Sequence, residues 1–122
     1  MSEGRPPYQV LFTKDARADV DSLDGSIKKR LRKVLQGKIS VAPEQYGTPL
    51  RGILAGYWKH EFASHRIIYQ FRDKQHLVVV CAVGLRKGLH KTDVYKELEG
   101  IAKTGRLADQ IRAVLKSLSI PP

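Results

Sequence analysis

Residues 58–71 read Trp-Lys-His-Glu-Phe-Ala-Ser-His-Arg-Ile-Ile-Tyr-Gln-Phe and predict a β-hairpin. Both arms are rich in the aromatic and β-branched residues that favour strands, and Ala63-Ser64 is short enough to be a two-residue turn. Such a turn places Phe62 opposite His65 and Glu61 opposite Arg66. The stretch therefore predicts two strands together with their register.

Alternation along these strands divides their side chains between two faces of the sheet. One face receives the residues expected to form the core: Trp58, His60, Phe62, Ile67, Tyr69 and Phe71. The other face carries Lys59, Glu61, Arg66 and Ile68. The charged residues are either a cross-strand ion pair of small energetic value or a site in which an acid, a lysine and an arginine act together. Spacing alone favours the ion pair.

A second group of candidate residues follows the next strand. Residues 77–83 are nearly all apolar and predict a central strand buried on both faces. The loop beyond such a strand is a common place for a site, where arginine can bind a phosphate and an aromatic ring can stack on a base. The alternative is a solvated basic loop. The residues in question are Arg86, Lys87, His90, Lys91 and Tyr95.

The remaining patterns predict an α+β fold. Residues 8–12 have strand composition, residues 14–23 and 27–39 carry helical stripes, and residues 50–54 form a further candidate strand. Thr13 and Ser26 are expected to cap the two helices, residues 43–49 to form a loop, and two more helices to follow Asp93 and Gly105. We expect a small, mainly antiparallel sheet packed on an N-terminal helical hairpin, with C-terminal helices.

The second helix carries an unbroken basic run. Five of the six residues from 28 to 33 are positively charged, and no acid interrupts them. Such a surface suits a polyanion and predicts salt-dependent, sequence-independent affinity, although a solubilising helix face is the plain alternative. The residues expected to contact such a polyanion are Lys28, Lys29, Arg32 and Lys33.

Composition limits the classes of protein that fit. The 122 residues suit one domain, and 22 Lys plus Arg against 12 Asp plus Glu give a net charge of +10, which again favours a polyanionic partner. One cysteine, Cys81, excludes an internal disulfide framework, and the four histidines do not form a metal pattern. No motif for a cofactor is evident. The longest apolar stretch is too short to span a bilayer, so we expect a cytoplasmic protein without a membrane partner.

The order of these pieces resembles the RelE/ParE family of bacterial toxins. The resemblance covers residues 8–98 and is carried by a succession of short motifs: Leu50-Arg51-Gly52, Gly56-Tyr57-Trp58-Lys59, His65-Arg66-Ile67-Ile68-Tyr69, Val83-Gly84-Leu85-Arg86 and Asp93-Val94-Tyr95. It implies a toxin domain over residues 8–98. Residues 99–122 are then a helical extension expected to pack on the same domain.

The resemblance also implies site residues. RelE-like members are described as ribosome-dependent mRNA endonucleases. Their site has basic residues on the third strand, an arginine on the next strand, an arginine after the last strand and a tyrosine near the C-terminus. In this sequence the matching residues are Lys59, Arg66, Arg86 and Tyr95. A second strand lysine of the family is replaced by Glu61, and the segment before Tyr95 is longer and contains His90. Some relatives use a glutamate as base and a histidine as acid, so Glu61 and His90 are candidates for those roles.

Two functions from different classes follow. The first is a metal-independent endoribonuclease that cuts mRNA on the ribosome and is neutralised by an acidic antitoxin, with Lys87 and Lys91 adding RNA contacts. The second is a ParE-like inhibitor of DNA gyrase without catalytic activity. A catalytically degenerate member that only binds a partner or RNA is a third possibility.

Overall fold

The computed structural model describes residues 6–85 and 94–119, which form a five-stranded sheet between two sets of helices. The N-terminal half contains β1 (Gln9–Phe12), α1 (Lys14–Asp21), α2 (Gly25–Val34) with a π-helical turn over Leu35–Ile39, α3 (Pro43–Tyr46) and β2 (Thr48–Pro49). The C-terminal half contains β3 (Trp58–Phe62), β4 (His65–Arg72), β5 (Leu77–Leu85), α4 (Val94–Lys103) and α5 (Arg106–Ser117).

The sheet has the strand order β1-β5-β4-β3-β2. Only β1 and β5 run parallel, and the other neighbours are antiparallel. Residues 77–83 of β5 are all buried, as expected for a strand with neighbours on both sides and a core on both faces. The α+β class and the mainly antiparallel sheet are confirmed.

The predicted hairpin register is confirmed. Phe62 pairs with His65 and Glu61 with Arg66 across β3 and β4. The turn contains no glycine, and Ala63 instead adopts the left-handed region, at φ 52°. The pairing therefore follows from the two-residue turn even though the turn sequence is not a preferred one.

Each face of the sheet has its own core. The predicted aromatic face packs Phe62, Ile67 and Tyr69 against Leu31 and Ile39 of the N-terminal helices. The opposite face is not an exposed surface throughout, because Ile68 and Val79 pack there against α4 and α5. A bulge in β5, where Val80 and Ala82 pair with consecutive residues of β4, lets Cys81 and Ala82 both join this second core.

Three local predictions are wrong. Residues 50–54 form a 3₁₀ turn over Gly52–Leu54 instead of a strand, because Gly52 turns the chain at φ 66°. Residues 43–49 are not all loop: Pro43 starts the short helix α3, and Thr48 pairs with Lys59 in the sheet.

The third error concerns the cap of α2. Asp24, not Ser26, caps this helix, since its carboxylate accepts from the Ile27 amide at 2.9 Å and from the Ser26 hydroxyl at 2.8 Å. The other predicted cap is confirmed, because the Thr13 hydroxyl accepts from the Ala16 amide at 3.1 Å.

The C-terminal helices are tied to the rest of the fold by Asp15 of α1. Its carboxylate accepts from Arg106 Nη2 at 2.7 Å and from Gln110 Nε2 at 2.8 Å, while its backbone amide donates to Gln110 Oε1 at 3.1 Å. Leu107, Ile111 and Leu115 of α5 are buried in the second core. Among the helices of residues 6–85 and 94–119, none is long and apolar enough to cross a membrane.

Candidate functional site

The charged residues predicted on one face of the hairpin lie together. Glu61 Oε2 is 3.2 Å from Lys59 Nζ and 3.5 Å from Arg66 Nε, so one carboxylate oxygen is shared by two cations. Lys59 and Glu61 are two residues apart on β3, and Arg66 is the cross-strand partner of Glu61 on β4. Alternation and register alone are enough to assemble this group.

The three side chains differ in how far they are held in place. The Arg66 side chain is 14% exposed, Lys59 27% and Glu61 51%. Arg66 Nη1 also donates to the carbonyl of His65 at 3.1 Å, which fixes the guanidinium along the strand. The site thus has a well-packed arginine, a partly exposed lysine and a more exposed carboxylate that solvent or a ligand can reach.

Tyr95 reaches the same face of the sheet on a different element. It lies in the first turn of α4, which begins where Val94 packs on Gly84; a Cβ on that glycine would come within 3.3 Å of the Val94 Cβ. Gly84 is the cross-strand partner of Arg66, so α4 starts beside the charged group. The Tyr95 hydroxyl is buried and has no hydrogen-bond partner among the residues that the structure describes.

The predicted loop cluster has four further members. Arg86, Lys87, His90 and Lys91 fall outside the described residues. Within residues 6–85 and 94–119, no three His, Cys, Asp or Glu side chains are grouped as metal ligands would be.

The basic run of α2 is on the opposite side of the sheet from Lys59, Glu61 and Arg66. Leu31 of this helix packs in the first core, whereas Ile68, next to the charged group, packs in the second. Lys29, Arg32 and Lys33 are exposed, and Lys28 is half-buried. The two basic regions therefore cannot lie on one flat contact surface.

Two features were not predicted from the sequence. One is a groove of about 540 Å³ between β1 and α2, whose walls include the apolar residues Val10, Phe12 and Leu35 and the cations Arg17, Lys28 and Arg32. The other is a smaller cavity between β4 and α5. Neither could be found from periodicity, since each depends on how a helix docks on the sheet.

Comparison with known proteins gives the family. The family model of the ParE toxin of the type II toxin-antitoxin system parDE matches residues 10–89. Toxin RelG of Mycobacterium tuberculosis is 32% identical over 90 residues, which cover 74% of this chain and 98% of that toxin. The chain belongs to the RelE/ParE family of toxins.

Solved structures of RelE/ParE toxins agree in fold. The toxin in the RelBE2 toxin-antitoxin complex of M. tuberculosis aligns with a TM-score of 0.64 and 33% identity, covering 67% of this chain and 94% of that one. The intact E. coli RelBE toxin-antitoxin complex aligns with a TM-score of 0.56 and 26% identity, covering 66% of this chain and 98% of that one. In this RelE/ParE toxin, α4 and α5 lie beyond the residues that the family model matches.

Proposed function

We propose that this toxin inhibits translation as a metal-independent endoribonuclease that cuts mRNA on the ribosome. The observation that supports the proposal is the Glu61 carboxylate held between Lys59 and Arg66 on one sheet face. A surface ion pair of this kind contributes little to stability, so the cost of ordering three long side chains is better explained by binding or catalysis. An acid between two cations matches what RNA cleavage by an internal hydroxyl requires.

The reaction begins with proton removal from the RNA 2′-hydroxyl. Its oxygen attacks the adjacent phosphorus, the bond to the 5′-oxygen breaks, and the products are a 2′,3′-cyclic phosphate and a 5′-hydroxyl that has gained a proton. Glu61 or Lys59 is the base, and Arg66 stabilises the negative charge that develops on the phosphoryl oxygens. Because Arg66 is packed along β4, little reorganisation is needed when that charge appears.

The remaining roles belong to residues after β5. Arg86 would add a second positive charge at the phosphate, and His90 or Arg86 would give the proton to the leaving oxygen. Tyr95 would stack on or orient a base. Lys87 and Lys91 would contact RNA.

The basic face of α2 would bind ribosomal RNA. Since α2 lies on the other side of the sheet from Glu61, mRNA and ribosomal RNA would meet opposite sides of the toxin. This arrangement favours action inside a ribosomal site over action on free RNA.

An acidic antitoxin would neutralise the toxin, and the groove between β1 and α2 suits it. The groove has apolar walls and a rim of three cations, so an acidic amphipathic segment matches it in both respects. β1 is also an edge strand, with one side open to pairing. A segment bound here would cover Lys28 and Arg32 and so block the ribosome-binding face.

Cleavage of one message in two settings tests the proposal. The toxin is added to the message alone and to the same message under translation, each with and without a chelator that leaves the ribosomes intact. We expect cleavage on the translating ribosome to be much faster and insensitive to the chelator. Efficient cutting of free RNA that the chelator abolishes would contradict it.

A gyrase inhibitor is the second candidate, favoured by the family model, whose description is that of a ParE toxin. It predicts that DNA gyrase cleavage complexes accumulate while translation continues. The same toxin preparation, added to a gyrase reaction and to a translation reaction, separates the two candidates.

The division into a toxin domain, residues 8–98, and an extension, residues 99–122, stays a prediction.

A further inference from the structure

A cavity of about 220 Å³ separates β4 from α5 on the sheet face that carries Glu61. The strand side contributes Gln70 and Arg72, with Tyr57 beside them, and the helix side is formed by Ala108, Ile111, Arg112 and Leu115. The helix side lies beyond the residues that the family model matches. This cavity therefore exists because the chain continues into α5.

Two polar atoms of the cavity are buried and unpaired. Arg72 Nε and Gln70 Oε1 have no hydrogen-bond partner among the described residues. They are two residues apart on β4, so their side chains share one face. A buried guanidinium N–H without an acceptor costs free energy, because it has lost its water and gained nothing in return. An acceptor in the cavity would offset part of this cost by pairing with the rest of the same guanidinium.

The charge around the cavity specifies that molecule further. Arg72 and Arg112 both line it, and no Asp or Glu does. Arg112 forms an ion pair with Asp109, which is not part of the lining, whereas no ion pair of Arg72 is found in the described part of the chain. Burial raises the pKa of Tyr57, more than the Arg72 charge lowers it, so the phenol keeps its proton and is a third donor.

We propose that this cavity binds a phosphate group. A tetrahedral phosphate offers oxygens to the Arg72 guanidinium, to Arg112 and to the Tyr57 hydroxyl, whereas a carboxylate has only two oxygens for three donors. Gln70, which also lines the cavity, can donate from its Nε2 amide. The cavity has room for such a group, because its volume of about 220 Å³ is several times a water's share of about 30 Å³.

The phosphate has two sources with the same chemistry. Tyr57 precedes Glu61 by four residues, or about 13 Å along an extended chain, so a further phosphate of RNA bound at Glu61 is one source. Free phosphate is the other. In both cases the ligand joins the sheet to α5 through Arg72 and Arg112, so its binding stabilises the C-terminal helix on the sheet.

Thermal unfolding of the full chain in inorganic phosphate tests this site, with sodium chloride at equal ionic strength as the salt control. We expect a saturable rise in the melting temperature that chloride does not give. Arg112→Gln should weaken the apparent affinity roughly 10- to 100-fold, the range for losing a hydrogen bond to a charged group. Lys116→Gln is the matched control, because it removes one charge from the same helix outside the cavity and should leave the affinity unchanged.

Arg112 is the residue substituted in this test because its side chain is exposed. A substitution of the half-buried Arg72 could also weaken the fold. Equal stabilisation by phosphate and chloride, or equal phosphate affinity in Arg112→Gln and Lys116→Gln, would overturn the proposal. A short 2′-O-methyl RNA, which cannot be cleaved, then identifies the source. Displacement of inorganic phosphate by this RNA indicates the RNA backbone, and simultaneous binding indicates free phosphate.

Discussion

Glu61 is the residue on which the proposed chemistry depends most. Its carboxylate pairs with Lys59 and Arg66, and its side chain is exposed enough for a ligand to reach it. A catalytic base and a passive ion-pair partner share this geometry. The two roles differ in what the loss of the negative charge does at neutral pH.

Glu61→Gln removes the charge while keeping the shape of the side chain. As the base, Glu61 accounts for a factor of about 100 to 10,000 in rate, so the variant should fold normally and lose most mRNA cleavage. The measurement is the cleavage rate on translating ribosomes, with Asp21→Asn, an exposed carboxylate on α1, as control. A fall of only a few-fold would show that Glu61 merely pairs with Arg66 and would make Lys59 the base.

Gly47 offers a test of packing at a single residue. A Cβ at this position would overlap the hydroxyl of Tyr69, which donates to the Pro43 carbonyl at 2.6 Å and is buried. Gly47→Ala should therefore lower the free energy of unfolding by about 1–3 kcal/mol. Gly37→Ala meets no atom within 4 Å and lies in a helical turn, so it should raise that free energy by about 0.5–1 kcal/mol. The free energy of unfolding of both variants is measured in urea. A Gly47→Ala protein as stable as the parent would contradict the close packing of Gly47 against Tyr69.

At the scale of elements, the β3–β4 hairpin could be predicted in detail and the segment before it could not. Strict alternation and a two-residue turn leave only one register for the hairpin, so Lys59, Glu61 and Arg66 could be grouped from the sequence. Residues 50–54 have strand composition, yet Leu54 is buried as part of a 3₁₀ turn in the second core. Composition does not reveal that Gly52 adopts a positive φ.

The second core could not be predicted because it depends on distant elements. Leu107, Ile111 and Leu115 show a helical stripe in the sequence, but nothing local says which sheet face the stripe covers. The Asp15 contacts with Arg106 and Gln110 that help to fix α5 join residues more than 90 positions apart. The candidate loop residues Arg86, Lys87, His90 and Lys91 lie outside the described residues and stay a prediction.

The basic face of α2 is expected to act through phosphate contacts. Replacing Lys28, Lys29 and Arg32 with Gln should weaken ribosome association and flatten its dependence on salt, because fewer counterions are released on binding. Ribosome binding measured at low and at moderate salt checks this, with circular dichroism to confirm the fold. Unchanged binding at both salt concentrations would show that the charges serve solubility alone.

Asp19 links α1 to β5 and predicts a pH effect. Its Oδ2 accepts from the Val83 amide at 3.0 Å, and burial raises its pKa above the usual 3.8, helped by the charges of Glu97 and Asp15. The folded state thus holds this proton more tightly than the unfolded state, so the contribution of Asp19 to stability falls as the pH rises from about 3.8 through the raised pKa. Asp19→Asn keeps the acceptor and should remove this loss, giving higher stability at neutral pH. Unfolding measured from pH 3 to pH 7 that shows the same slope in both proteins would contradict it.

On the scale of the whole molecule, the sheet separates two basic regions. Glu61 and its cations lie on one face, next to α4 and the phosphate cavity under α5, and α2 lies on the other. A toxin with a net charge of +10 and cationic surfaces on both sides suits a site enclosed by RNA. In the proposed neutralisation, an antitoxin in the groove beside α2 would block one side without contact with Glu61.

Mapping mRNA ends in a translating reaction tests the central claim most directly. The toxin is compared with a variant in which Lys59, Arg66 and Arg86 are all replaced by Gln, and new ends are sequenced by a method that distinguishes 2′,3′-cyclic phosphates. The account predicts cyclic-phosphate ends within translated codons for the toxin, and a rate at least about 100-fold lower for the variant, since losing a single preorganised donor costs about that much. A folded triple variant that arrests translation and cuts mRNA as fast as the toxin would show that the site lies elsewhere on the chain.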